Sequence, residues 1–212
     1  MGILKNMDFV LYLYKSGYLE TLNYDRTSSI IGKSILFRLK TIFIQIIKEF
    51  KLLFYINPSL NIENKIVCII NSKNNYESLK FLVTKDVVFL KPTVLGKELD
   101  GVITYRFNTK FFYSIFFIIS LPFLILSREK RRDLMLVHKA FGLTQLFVFL
   151  LKNQKPKKVI FANDHIPEAR SCILACKKLG IKTVYIQHGA VSKYFPPLEF
   201  DLALLESIYS KD

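Results

Sequence analysis

The sequence predicts an α/β fold with an open, Rossmann-like parallel sheet and a helical extension ahead of it. Three observations carry this reading. Short apolar runs rich in β-branched residues, such as Lys65-Ile-Val-Cys-Ile-Ile70 and Lys158-Val-Ile-Phe-Ala162, lack polar alternation and read as strands buried on both faces. From Lys65 onward such runs alternate with helical stretches, the pattern of parallel strands joined by crossover helices. At 212 residues, 51% of them apolar, the chain is large enough to bury a core.

Taken in order, residues 1–60 form a basic, amphipathic extension and 61–212 the sheet domain. A short helix is expected near Phe9 to Tyr14. From Lys33 to Phe54, Ile35, Leu39, Ile42, Phe43, Ile46, Phe50 and Leu53 recur at helical spacing and define an inward face, with Lys33, Lys40, Lys48 and Lys51 opposite. That basic face suits solvent or an anionic lipid surface. A strand at Lys65 to Ile70, a helix from Tyr76 to Val83, and strands at Val87 to Leu90 and Gly101 to Arg106 follow. The apolar run Phe111 to Leu126 is 16 residues long and broken by Pro122, short of the roughly 20 that span a bilayer, so a buried or membrane-dipping helix is expected there. Asp133 is placed to cap a helix reaching Asn153.

The last third is the most clearly punctuated. After the strand Lys158 to Ala162, Pro167 takes the first helical position, Glu168 the first turn, Lys177 and Lys178 the last, and Gly180 the close. A strand from Lys182 to Gln187, a loop and a strand within Phe200 to Leu205 complete the domain.

In open parallel sheets, ligands gather at the carboxyl ends of the strands. Asp164 and His165 follow one strand end there and His188 the next. A histidine beside a carboxylate is a candidate general base, because the carboxylate orients the ring and favours its protonated form. The candidate catalytic residues are therefore His188, Asp164 and His165. Asn163, Arg170, Gln187, Gly189 and Ser192 are the candidate substrate contacts, with Arg170 and the helix N-terminus suited to an anionic group and Gly189 to close backbone approach. The bland alternatives are that Asp164 caps the helix and Arg170 is merely exposed on it. Cys172 and Cys176, one helical turn apart, raise zinc as a competing chemistry, but helix-interior cysteines pack as small hydrophobes and no metal is assigned. There is no Walker or dinucleotide glycine loop and no serine nucleophile elbow.

Charge narrows the partners. Thirty-one Lys and Arg against 17 Asp and Glu give a net charge of +14, pointing to an anionic partner. Nucleic acid is excluded as the preferred partner, since the basic residues are scattered among long apolar runs without a binding motif. An anionic membrane surface fits better, given 19 Phe, no Trp and basic amphipathic stretches. Three unpaired cysteines and an N-terminus without a signal-peptide pattern place the chain in the cytoplasm.

The stretches Pro156-Lys-Lys-Val-Ile-Phe-Ala-Asn-Asp-His165, Ala175-Cys-Lys-Lys-Leu-Gly-Ile-Lys-Thr-Val-Tyr-Ile-Gln-His-Gly-Ala-Val-Ser192 and Phe195-Pro-Pro-Leu-Glu-Phe-Asp-Leu-Ala-Leu-Leu205 resemble the amino-terminal half of GT-B-type bacterial surface-polysaccharide transferases. These enzymes of capsule and O-antigen synthesis are akin to capsule polysaccharide and glycerophosphate polymer transferases and, more distantly, to UDP-sugar 2-epimerases. The resemblance implies an acceptor-side domain at the inner face of the bacterial plasma membrane, with a lipid-linked or saccharide acceptor. It also implies a nucleotide-activated sugar donor held by a second domain that these 212 residues do not include, so the chain is expected to be a truncated product inactive alone, a fragment, or one half of a split enzyme completed by a second-half polypeptide. Gln187-His188-Gly189 matches the family's cleft-facing His-Gly motif, and Asn163-Asp164-His165 the polar turn before it. Two alternatives stand beside this expectation: a non-catalytic peripheral membrane or partner-binding module, and an epimerase-like enzyme, which would need a nucleotide-sugar site of its own.

Overall fold

The structure, a computed structural model, describes residues 9–12, 16, 34, 36–37, 39–40, 43–44, 47, 57, 59–92, 99–105, 134–187, 189 and 195–206, with the backbone alone over 134–141. The sheet is six-stranded and parallel throughout. Its strands are β1 (Ile66–Ile69), β2 (Val87–Pro92), β3 (Ile103–Tyr105), β4 (Lys158–Phe161), β5 (Lys182–Ile186) and β6 (Leu202–Leu204), in the order β3-β2-β1-β4-β5-β6. This is the order of a doubly wound, Rossmann-like α/β domain, and it bears out the expected fold class. The helices of the sheet domain among the described residues are α1 (Lys73–Leu79), α2 (Leu134–Gln154) and α3 (Pro167–Leu179), with a 3-10 turn at Lys80–Leu82.

The strands lack polar alternation because both faces are covered. Val67, Ile69, Val88, Leu90, Val159 and Phe161 enter one core, packed by Leu146, Phe147 and Leu150 of α2 and by Cys172, Ile173 and Cys176 of α3. Their neighbours Cys68, Ile70, Phe89, Ile160 and Ala162 enter the other, closed by Leu79 of α1. The period-two geometry of a strand thus feeds two apolar layers at once. Burial pushes the Cys68 thiol up to about 12, so it packs as a neutral hydrophobe.

Several boundaries move for identifiable reasons. α1 starts ahead of the expected Tyr76 because Ser72, in extended conformation, accepts the Asn75 amide at 3.2 Å. It ends at Leu79, giving way to the 3-10 turn. β3 begins two residues after Gly101, whose φ of +74° belongs to a turn. α3 begins at Pro167 and closes on Gly180, left-handed at φ 67°, as its punctuation required. The run 111–126 and Asp133 lie outside the described residues. No helix among the described residues is long and apolar enough to cross a membrane.

In the extension, Leu36, Phe37, Leu39, Lys40, Phe43, Ile44 and Ile47 are helical. The expected division of faces needs correction. Phe43, assigned inward by its spacing, is 63% exposed, and the side shared with Lys40 also carries exposed Leu36 and Ile47. Spacing defines which residues share a face, but not which face the rest of the chain covers.

Candidate functional site

β4 and β5 are adjacent and parallel, with Phe161 opposite Tyr185, so their turns leave the same edge of the sheet about 4.8 Å apart. The sheet order also sends the chain one way from β1 and the other way from β4. The β1 exit at Asn71 and Ser72 and the β4 exit at Asn163 to His165 therefore flank the switch point where open α/β sheets bind ligands. The β1 exit carried no site expectation; its polar run Asn71-Ser-Lys-Asn-Asn75 was legible only as a turn.

Asn163 organises the β4 turn. Its Oδ1 accepts the amides of His165 (3.2 Å) and Ile166 (3.3 Å). The capping alternative for Asp164 is thereby corrected. The residue flanking α3 is Ile166, which makes no side-chain cap bond, and the turn amides are met from Asn163. With those two amides used and no N–H on Pro167, fewer donors remain at this helix end for an anion.

Asp164 instead turns inward, 3% exposed, with Oδ1 3.4 Å from His165 Nδ1. Nε2 of the same ring lies 3.3 Å from Asn163 Nδ2, which can only donate. That pairing makes Nε2 the acceptor and Nδ1 the protonated nitrogen, the tautomer a base oriented by a carboxylate requires. The ring stacks on Phe195 at 4.6 Å and 22°, a contact that spacing did not predict because thirty residues separate the two. A substrate hydroxyl reaching Nε2 would displace the long Asn163 contact.

Arg170 departs from both sequence readings. It is 2% exposed, so it is neither a solvated helix residue nor an open anion site. Nε donates to the Phe9 carbonyl and Nη1 to the Asp164 carbonyl at 3.2 Å, while Nη2 lies 3.7 Å from Glu199. The guanidinium also stacks 3.8 Å over the Phe9 ring. Burial lowers the Arg170 pKa, with Glu199 and then Asp164 opposing it. The residue ties the amino-terminal segment to the β4 turn.

Gln187 is also structurally engaged. Nε2 donates to the Gly189 carbonyl at 2.9 Å and Oε1 accepts the Glu206 amide at 3.1 Å, bracing the β5 exit against the β6 exit. Gly189 is exposed, lies outside the positive-φ region and, among the described residues, would meet nothing within 4 Å as alanine, so these residues make no demand for glycine there. His188 and Ser192 lie outside the described residues.

Buried Tyr185 has its phenol pKa raised, by burial first and then by the Asp164 and Glu206 charges. Cys172 and Cys176 sit in the α3 core with no exposed surface, and burial, then its contact with Cys176, raises the Cys172 thiol well above its usual range. No group of three His, Cys, Asp or Glu side chains able to hold a metal ion occurs among the described residues. No family model matches the chain, and neither a curated protein nor a solved structure matches it.

Proposed function

We propose that this chain is the acceptor-side domain of a transferase that joins an activated sugar, or a related polyol phosphate, to a hydroxyl acceptor in cell-surface polysaccharide synthesis. One observation carries the reading most directly. At the carboxyl edge of a parallel sheet, Asp164 orients the δ-protonated His165, beside the turn bearing Gln187 and the structurally undemanded Gly189. In this reading His188, between those two residues, is the base that takes the proton from the acceptor hydroxyl. The Asp164–His165 pair shapes and polarises the crevice beside it. The donor is a nucleotide-activated species bound by a second domain or polypeptide, and no resident cofactor or metal takes part. The work is done at the cytoplasmic face of the plasma membrane, where a lipid-linked or saccharide acceptor is presented.

The test is transfer from a panel of nucleotide-activated sugars and polyols to acceptor glycans, with the donor-binding polypeptide supplied. Replacing His188 by alanine is expected to lower turnover by about 100-fold or more while acceptor binding persists. Unchanged turnover would remove this role.

A second reading, a non-catalytic binding module, gains support from Arg170 and Gln187, whose polar groups are engaged within the fold. It predicts saccharide or partner binding with no turnover for any donor.

A further inference from the structure

The helical residues of the extension carry five large apolar side chains in the open: Leu36 (76% exposed), Phe37 (46%), Phe43 (63%), Ile44 (42%) and Ile47 (50%). At 3.6 residues per turn, Phe43, Leu36, Ile47, Lys40, Ile44 and Phe37 fall, in that angular order, within a sector of about 120°. Single exposed apolar residues are ordinary on soluble proteins; a continuous stripe over three turns is not. Lys40 lies inside the stripe and is exposed. In the sequence, Lys33, Lys48 and Lys51 add positive charge within a few residues of this segment.

We propose that the stripe from Leu36 to Ile47 lies in the interface of an anionic bilayer, its five apolar side chains among the upper acyl chains and Lys40 at the headgroups. The composition selects this occupant. A second copy of the chain would bring a further net charge of +14 against the same lysine-bearing face. A purely electrostatic partner would leave the apolar side chains in water. An anionic lipid surface satisfies both features. This deepens the membrane-side reading above by naming the contact surface, and rests on that reading only for the leaflet involved.

The chain contains no tryptophan, so Phe43→Trp places one indole in the stripe of the 212-residue chain. Mixed with vesicles of phosphatidylglycerol and phosphatidylcholine, it is expected to shift its emission to the blue and to be quenched by brominated acyl chains. Phe81→Trp, at a 70% exposed position outside the stripe, is expected to keep its aqueous emission. In sedimentation, Phe43→Ser with Ile44→Ser and Ile47→Ser is expected to reduce vesicle partitioning by about 10-fold or more. Raising salt is expected to weaken wild-type binding without abolishing it. Because the replaced side chains are already exposed, loss of fold does not confuse the outcome. An aqueous, unquenched indole at position 43 would overturn the proposal. So would equal quenching at position 81, binding only to phosphatidylcholine, or a concentration-dependent dimer that covers the stripe. None of these readouts depends on sugar transfer, so the surface and the enzymatic reading fail separately.

Discussion

The two ends of the β4–β5–β6 corner use polar residues in opposite ways. At the amino end, Asp201 accepts from the Thr183 amide (2.8 Å) and hydroxyl (3.0 Å) and pairs with Lys182 at 3.2 Å, while Glu199 pairs with Lys177. These groups line a depression of about 440 Å³ with Gly180 and Phe200, yet they are matched to one another. At the carboxyl end, one carboxylate lies buried against one histidine, and the neighbouring turn carries a glycine that no described residue requires. Hollow shape and chemical readiness are therefore separate properties. The amino-end hollow is a by-product of ties that fasten β6, whereas the carboxyl edge holds groups placed at some cost in burial.

That contrast can be broken by substitution. The largest effect is expected at Arg170, which serves both the turn and the amino-terminal segment. Arg170→Met leaves two carbonyls and Glu199 without their cation and should lower stability by about 3 kcal/mol, read by urea unfolding. Next, if the proposed transferase reading holds, is Asp164→Asn, an isosteric change expected to cost about 100-fold in transfer with much less effect on unfolding. Stability falling as far as transfer would erase the distinction between the two ends.

A smaller effect separates the amino end. The Thr183 amide, followed by its hydroxyl, holds the Asp201 carboxyl below its ordinary value of 3.8. A depressed carboxyl contributes stability above its unfolded pKa and loses it as pH falls through the lower folded value. Wild type and Asp201→Asn should therefore differ near neutral pH and converge below that window in denaturation series, with transfer per folded molecule unchanged. The smallest structural effect belongs to Gly189→Ala. It should unfold within about 0.5 kcal/mol of wild type, as expected for a surface change, while reducing acceptor binding measured by calorimetry.

How much the sequence disclosed follows the range of the forces involved. The buried strands, and α3 with Pro167 first and Gly180 last, were legible because their determinants lie within a few residues. The adjacency of the Asp164 and Gln187 turns followed from the strand–helix–strand pattern. The burial of Arg170 was not legible, since its partners Phe9 and Glu199 are set by tertiary packing. Nor was the stack of His165 on Phe195. That Asn163, rather than Asp164, meets the turn amides was not legible either, because the helix begins at Pro167 as expected and the choice is made by the geometry of the turn ahead of it. The face of the 36–47 segment could be drawn as a wheel, but its orientation required the rest of the molecule.

The double grip of Arg170 also bears on how the molecule breathes. One guanidinium donates to Phe9 and Asp164 carbonyls 155 positions apart in the chain, and Val10 and Leu11 are almost wholly enclosed beside that segment. The amides around Phe9 to Leu11 and those of the β4 turn should consequently exchange with deuterium as one cooperative unit rather than as a fraying end and a separate loop. A chain shortened past Tyr12 would be expected to lose slow exchange at Asp164 and His165 as well, although those residues remain present.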